Sequence, residues 1–329
     1  MITYNGINKI DIVYTYVNNT DKEWFNKISK YTNKINYGRF NFFGEIYFSL
    51  LSVQKFFNWV NKIYIVHDNQ PFSLDFLEKS FRKKIIFVDH KEIIPHKYLP
   101  LFNSEVIECF IWKINKLSDY FIYLNDDIFF GNYIYYSDFF TNNNELKIFY
   151  TLKNNYYSTE ILEKNRYLIS YNNSELLFNN TYKTNYNIKF LHISFNLNKY
   201  ICEYTFYTFY DYLEKIFLNK LRTYNNPNIN IKNSKNFSFL HLCALMMIYK
   251  NISKVNNDIK HMTIQQLTED NYEKLLKNKP KIFNINQLYK EQKYLWDKLQ
   301  KNYFNIFLNN YDIFFKKIKD ETNKIKKIN

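Results

Sequence analysis

Four short segments between residues 9 and 140, each followed by carboxylates or amides and separated from the next by a helical pattern, constrain this chain more than any other feature. Lys9–Val17 (KIDIVYTYV), Lys62–His67 (KIYIVH), Lys84–Asp89 (KIIFVD) and Tyr120–Leu124 (YFIYL) are rich in β-branched and aromatic residues and read as strands. Between them, Thr20-x-x-Glu23 offers a capping box for a helix to about Tyr31, and Glu45–Trp59 carries Ile46, Leu50, Val53 and Phe57 on one helical face. A short helix is expected around Leu74–Phe81 and another capped near Asn103 or Ser104. Strands joined through helices need crossover connections, so the expected fold is α/β, a Rossmann-like, mainly parallel sheet of the nucleotide-binding type.

From Thr141 onward the pattern weakens. Asn-rich breaks at Thr141–Asn144 and Tyr224–Asn236 surround helical patterns at Thr205–Leu221 and Phe237–Tyr249, which read as loops and additional C-terminal helices packed on the sheet. The expected organisation is one catalytic domain over 1–329: an α/β core at 9–140, a helical and loop part at 141–315 completing the site, and a lysine-rich tail at 316–329. Apolar residues make up 46% of the chain, which excludes disorder, and only 4 glycines exclude a collagen-like rod. The formal net charge of +14 is nearly all lysine; it fits either an anionic partner or a solvated lysine-rich surface. Cys109, Cys202 and Cys243 have no metal or disulfide spacing, and no run is long and apolar enough to span a bilayer. A cytoplasmic protein is expected, with the basic tail as a peripheral contact for anionic membrane.

Ligands of open parallel sheets bind beyond the carboxyl ends of the strands. Those ends carry Asn18-Asn19-Thr20-Asp21, His67-Asp68-Asn69-Gln70, Asp89-His90 and Asn125-Asp126-Asp127. Asp126 and Asp127 stand out because both flanks are strongly apolar, and a buried carboxylate needs a partner. Mg²⁺ or Mn²⁺ is one such partner; a turn in which the two acids cap the next element is the other reading. Glu108 lies on the helix before the fourth strand. Arg222, one of 4 arginines in a lysine-rich chain, suggests a place where a fork-shaped donor is needed. His192 and His241 share apolar flanks, and spacing does not separate them.

Ile10-Asp11-Ile12-Val13-Tyr14-Thr15-Tyr16-Val17-Asn18, then Glu45 through Pro71, then Leu99-Pro100, Phe102-Asn103-Ser104, Ile107-Glu108 and Phe121-Ile122-Tyr123-Leu124-Asn125-Asp126-Asp127 resemble, in order, three blocks of the Stealth family of sugar-1-phosphate transferases. A weaker fourth block places the family's histidine at His192 and its arginine at Arg222. Tyr16, Asn19, Leu51 and Asn115-Lys116 depart from the usual pattern.

The resemblance implies transfer of a hexose-1-phosphate, typically an N-acetylhexosamine-1-phosphate, from a UDP-sugar donor to a hydroxyl of a glycan acceptor, with release of UMP, in capsule or surface polysaccharide synthesis. Asp127 with Asp126 would hold Mg²⁺ or Mn²⁺, Arg222 would bind phosphate, His192 would act as base, and Glu108 would assist. Asp11, Tyr14, Asn18, Glu45, Asn103, Ser104 and Asn125 would line the substrate pocket. A metal-dependent glycosyltransferase releasing UDP is the nearest rival. A basic nucleic-acid- or glycan-binding module is a second, but acids clustered at strand ends are what a nucleic-acid groove avoids, so no nucleic-acid partner is expected.

Overall fold

The computed structural model describes residues 9–32, 44–152, 158–164, 168–222, 236–255, 258–286 and 290–301. The tail at 316–329 and most of the break at Tyr224–Asn236 lie outside them.

The four expected strands form. They are β1 (Ile10–Thr15), β2 (Ile63–His67), β3 (Ile85–Asp89) and β4 (Tyr120–Asn125). All four run parallel, and the sheet order is β3-β2-β1-β4 with a fifth, antiparallel strand, Phe195–Asn198, beyond β4. Burial follows position in the sheet. β2 is buried along its whole length because it is covered on both faces, whereas β3, on the edge, leaves Ile86 exposed. The chain winds outward from β1 to β2 and β3 and then returns to place β4 on the other side of β1. The order therefore reverses between β1 and β4, the place at which open parallel sheets form a crevice at the carboxyl ends of their strands.

Helix boundaries differ from expectation where side chains compete for the backbone. Helix α1 (Lys22–Ile28) is capped by Asp21, whose carboxylate accepts from Trp24 N, because the Thr20 hydroxyl is engaged by Asn18 Oδ1. Helix α2 (Glu45–Phe56) stops short of Trp59, whose indole N–H is drawn to the Ile134 carbonyl. Ser73 Oγ accepts from Asp75 N and bends the next expected helix into a turn, leaving one helical turn at Lys79–Arg82. Asn103 caps α3 (Ser104–Glu108).

Beyond β4, and so also beyond residue 141, the chain is not only loops and helices. Further strands form β5 (Ile128–Phe130), β6 (Leu146–Ile148), β7 (Tyr150–Leu152), β8 (Ile188–Phe190), the edge strand β9 (Phe195–Asn198), β10 (Ser253–Val255), β11 (His261–Ile264) and β12 (Ile282–Ile285). They are three or four residues long, too short for an alternating pattern to stand out in sequence. β5 pairs antiparallel with β12, so the Asp126–Asp127 turn joins the main sheet to a second one. The expected Thr205–Leu221 helix is two, Lys199–Thr208 and Tyr210–Phe217, broken at Phe209. One contiguous apolar cluster runs from Ile10 to Leu299 and unites both parts of the chain. Among the described residues no helix is long and apolar enough to cross a membrane.

Candidate active site

The crevice between β1 and β4 is built from four places in the sequence. β4 ends at Asn125, level with Thr15 of β1, and its next two residues form the Asp126–Asp127 turn. The turn is held from below: Tyr14 Oη lies 2.7 Å from Ser49 Oγ, and Ser49 Oγ donates to the Ile128 carbonyl. Ser52 of the same α2 face accepts from Phe130 N at 3.0 Å. Helix α2 thus fixes where β5 starts, and with it the direction of both acids.

Those acids are half-buried, and no cation lies against them among the described residues. Burial pushes both carboxyls up to about 7, and for Asp126 the charge of Asp127 adds to it. Asp127 Oδ1 has no hydrogen-bond partner among the described residues. The two acids do form a turn, as the alternative reading had it, but the turn leaves Asp127 Oδ1 unsatisfied. This is the donor set a divalent ion accepts when substrate oxygens and water complete its shell. No group of three or more His, Cys, Asp or Glu side chains among the described residues is arranged to hold a metal by itself.

The second contribution is α3. Glu108, only 8% exposed, accepts from Tyr123 Oη at 3.1 Å. Burial, with Glu105 adding, pushes its carboxyl up to about 7 against the opposing pull of Arg222. The third is the segment after Tyr210–Phe217, which is latched to the start of α3. Phe102 N donates to Lys220 O at 3.0 Å, Asn103 Nδ2 to Asn219 O at 3.4 Å, and Lys220 Nζ to Tyr98 O at 2.8 Å. The latch brings the Arg222 guanidinium onto Ser104 Oγ.

The fourth is His192, in the turn between β8 and β9. Because β9 runs antiparallel to β4, with Phe195 opposite Tyr123, the residues before β9 arrive at the carboxyl end of β4. Burial first and the Arg222 charge second lower its imidazole to about 4, so the ring is neutral at neutral pH. His241 goes elsewhere: it lies inside the helix Phe239–Tyr249, packed edge-on against Phe190 and Tyr171 at 4.6 and 5.2 Å. The fold thus separates two histidines that their flanking residues do not.

Glu108, Arg222, His192, Ser104, Asn125, Asp126 and Asp127 are brought to one rim, with Tyr14 beneath it. Asn18 follows β1 on the same rim, its backbone N–H donating to Gln70 Oε1 and its carbonyl accepting from Gln70 Nε2. Glu45 opens α2 on this side. Asn103 is spent on its cap and on Asn219. Asp11 is not brought to the rim. It sits at the amino end of β1, fully buried, its carboxylate accepting from Asn61 Nδ2, Lys62 N and Ser118 N at 2.7, 2.9 and 2.7 Å. It braces the loops entering β2 and β4, and its place in the sequence block does not make it a pocket residue.

The polar ends of β2 and β3 are likewise absorbed by the fold. Asp68 pairs with Lys27 at 2.9 Å, His67 Nδ1 accepts from Gln70 N, and Asp89 caps the turn of helix at His90–Ile93. Sequence reasoning passed over Thr15, Ser49 and Tyr123. For Tyr123 a signal existed, since it lies two positions before Asn125 and so on the same face of the strand.

The family model of Stealth conserved region 2 matches residues 39–148. The capsular polysaccharide phosphotransferase Fcs1 of Haemophilus influenzae is 33% identical over 319 residues, covering 92% of this chain and 83% of its own. The capsular polysaccharide phosphotransferase LcbA of Neisseria meningitidis is 29% identical over 325 residues, covering 91% and 84%. Among solved structures, the galactosyltransferase LgtC overlaps 84% of this chain and 86% of its own at 9% identity and a TM-score of 0.41, too loosely to transfer any residue.

Proposed function

The chain belongs to the Stealth family of capsular polysaccharide phosphotransferases, and from that premise we propose that it moves a hexose-1-phosphate, of the N-acetylhexosamine class, from a UDP-sugar to a hydroxyl of a glycan acceptor and releases UMP. The observation that supports this most directly is the meeting of Arg222, Glu108 and His192 beside the Asp126–Asp127 turn, from segments far apart in sequence.

In this reading the acceptor oxygen attacks the phosphorus that carries the sugar, and the bond from that phosphorus to the UMP oxygen breaks. Such a reaction asks for charge neutralisation and alignment more than for covalent chemistry by the protein. Arg222 forks onto phosphate oxygens while Ser104 holds it in place. His192, neutral and close to Arg222, takes the acceptor proton. When the donor's negative charge covers Arg222, the field that lowers His192 weakens and the ring becomes the stronger base. Glu108 orients the acceptor hydroxyl or supports His192. Asn18, Glu45 and Asn125 line the donor pocket, with Tyr14 below.

Asp126 and Asp127 would hold Mg²⁺ or Mn²⁺, which when bound would neutralise the diphosphate. The reading also places the enzyme on the cytoplasmic side, compatible with its three buried free cysteines, with the basic tail at 316–329 touching anionic lipid.

Phosphorus NMR of products from a panel of UDP-sugars and glycan acceptors tests the proposal. UMP together with a phosphodiester in the glycan supports it. UDP with a phosphorus-free linkage overturns it in favour of a glycosyltransferase.

A further inference from the structure

Tyr123 is 2% exposed, and its hydroxyl lies at the switch point with one neighbour each from β1, α3 and the end of β4. Thr15 Oγ1, at the end of β1, is 2.8 Å away; Glu108 Oε1, on α3, is 3.1 Å away; and Asn125 Oδ1, the residue before the acidic turn, is 3.0 Å away. A phenol has one proton to give. Thr15 is able to donate to the phenol oxygen, whereas an ionised Glu108 and the Asn125 carbonyl oxygen only accept. The phenol proton is therefore shared between the carboxylate and the amide, and the charged acceptor draws it more strongly. One side chain thus ties the Glu108 carboxylate to the residue from which the Asp126–Asp127 turn departs.

We propose that Tyr123 is a positioning residue for phosphoryl transfer, its hydroxyl, anchored by Thr15, holding the Glu108 carboxylate in register with Asn125 and the acidic turn. This rests on the reading of Glu108 as part of the site. Tyr123 touches no reacting atom in that scheme and acts through Glu108. Removing its hydroxyl takes away a donor that favours ionised Glu108, so the Glu108 ionisation moves upward. The groups that set that ionisation besides Tyr123 are Arg222, Glu105 and Ser104, and none of them is altered by the change.

The test is a double-mutant cycle of Tyr123→Phe and Glu108→Gln, read by kcat, donor KM and the pH dependence of kcat/KM, with folding followed by thermal melting. Tyr123→Phe keeps the buried ring, and it is expected to lower kcat by about 10- to 100-fold with donor KM within about twofold. The acid limb of its pH profile is expected to move to higher pH. In the Glu108→Gln background the same change is expected to cost less than about twofold, because the group it positions is already gone. Thr15→Val, which leaves the phenol in place, is expected to reproduce the kcat loss in weaker form, and it carries the test if Tyr123→Phe does not fold. An undiminished kcat in both single variants overturns the proposal, and so does a full Tyr123→Phe loss in the Glu108→Gln background. The cycle reads out whether the nucleotide product is UMP or UDP, so a failed reaction assignment is distinguishable from a failed role for Tyr123.

Discussion

Arg222 and Ser104 are 118 residues apart in sequence, and the guanidinium of the first donates to the hydroxyl of the second. Ser104 begins the single turn of helix that ends in Glu108, so this contact sets a cation beside a carboxyl that burial would otherwise keep protonated. Burial lowers His192, and the same cation adds to it. Burial thus displaces an acid upward and a base downward from their ordinary values, and one arginine opposes the first shift while adding to the second, a pattern common at sites that move protons.

Arg222→Lys retains the charge and loses the fork. A lysine cannot bind two phosphate oxygens and Ser104 in the same plane, so transfer is expected to fall by about 10²-fold or more, as when one oriented donor to a transition state is removed. Steady-state kinetics on purified protein measure this, and a loss of only a few-fold would mean that point charge suffices.

Glu108 carries a pH-dependent cost. Its folded value is raised from the ordinary 4.5 to about 7, so its contribution to stability is complete below pH 4.5 and is lost as pH rises through 7. At pH 8 the deficit is on the order of 3 kcal/mol. Glu108→Gln is therefore expected to melt several degrees higher than the natural protein at pH 8 and at the same temperature near pH 4, while losing transfer activity. In the natural protein the rate is expected to fall below about pH 7 as Glu108 becomes protonated. An unchanged melting difference across that range would remove the buried charge from the account.

His192→Ala is expected to lose at least about 10²-fold in kcat, within the range of general acid–base catalysis. His241→Ala tests the separation made by the fold: it opens a hole among aromatic rings and lowers the melting temperature, with kcat of the folded fraction within a few-fold. The reverse pattern would exchange the two histidines.

Asp127→Asn is expected to abolish transfer and leave the fold intact, since its Oδ1 supports no hydrogen bond among the described residues. Mg²⁺ with UDP is expected to raise the melting temperature of the natural protein and to leave that of the variant unchanged. Retention of that stabilisation would place the ion elsewhere.

Asp11→Ala removes an acceptor serving three donors at the amino end of the sheet, and the loss is expected to be about 3 kcal/mol or more in denaturant unfolding. Donor KM of the folded fraction is expected to stay within about twofold. A large rise in KM with unchanged stability would return Asp11 to the pocket.

Most of the sheet was legible because β1, β2 and β4 are apolar, β-branched and bounded by polar residues, and helical spacing between them requires parallel crossovers. Asp126 and Asp127 were legible as candidates for the same reason: acids between YFIYL and IFF have nowhere apolar to hide. What sequence could not decide was which polar residues the fold would consume. Asp11, Asp68 and Asp89 look as available as Asp127 in a string of letters, yet each finds backbone or lysine partners that only chain packing supplies. Nor could local pattern place His192 on the rim and His241 in the core. That choice was made by the antiparallel pairing of β9 with β4, and strand pairing is a long-range contact with no signature in the residues beside either histidine.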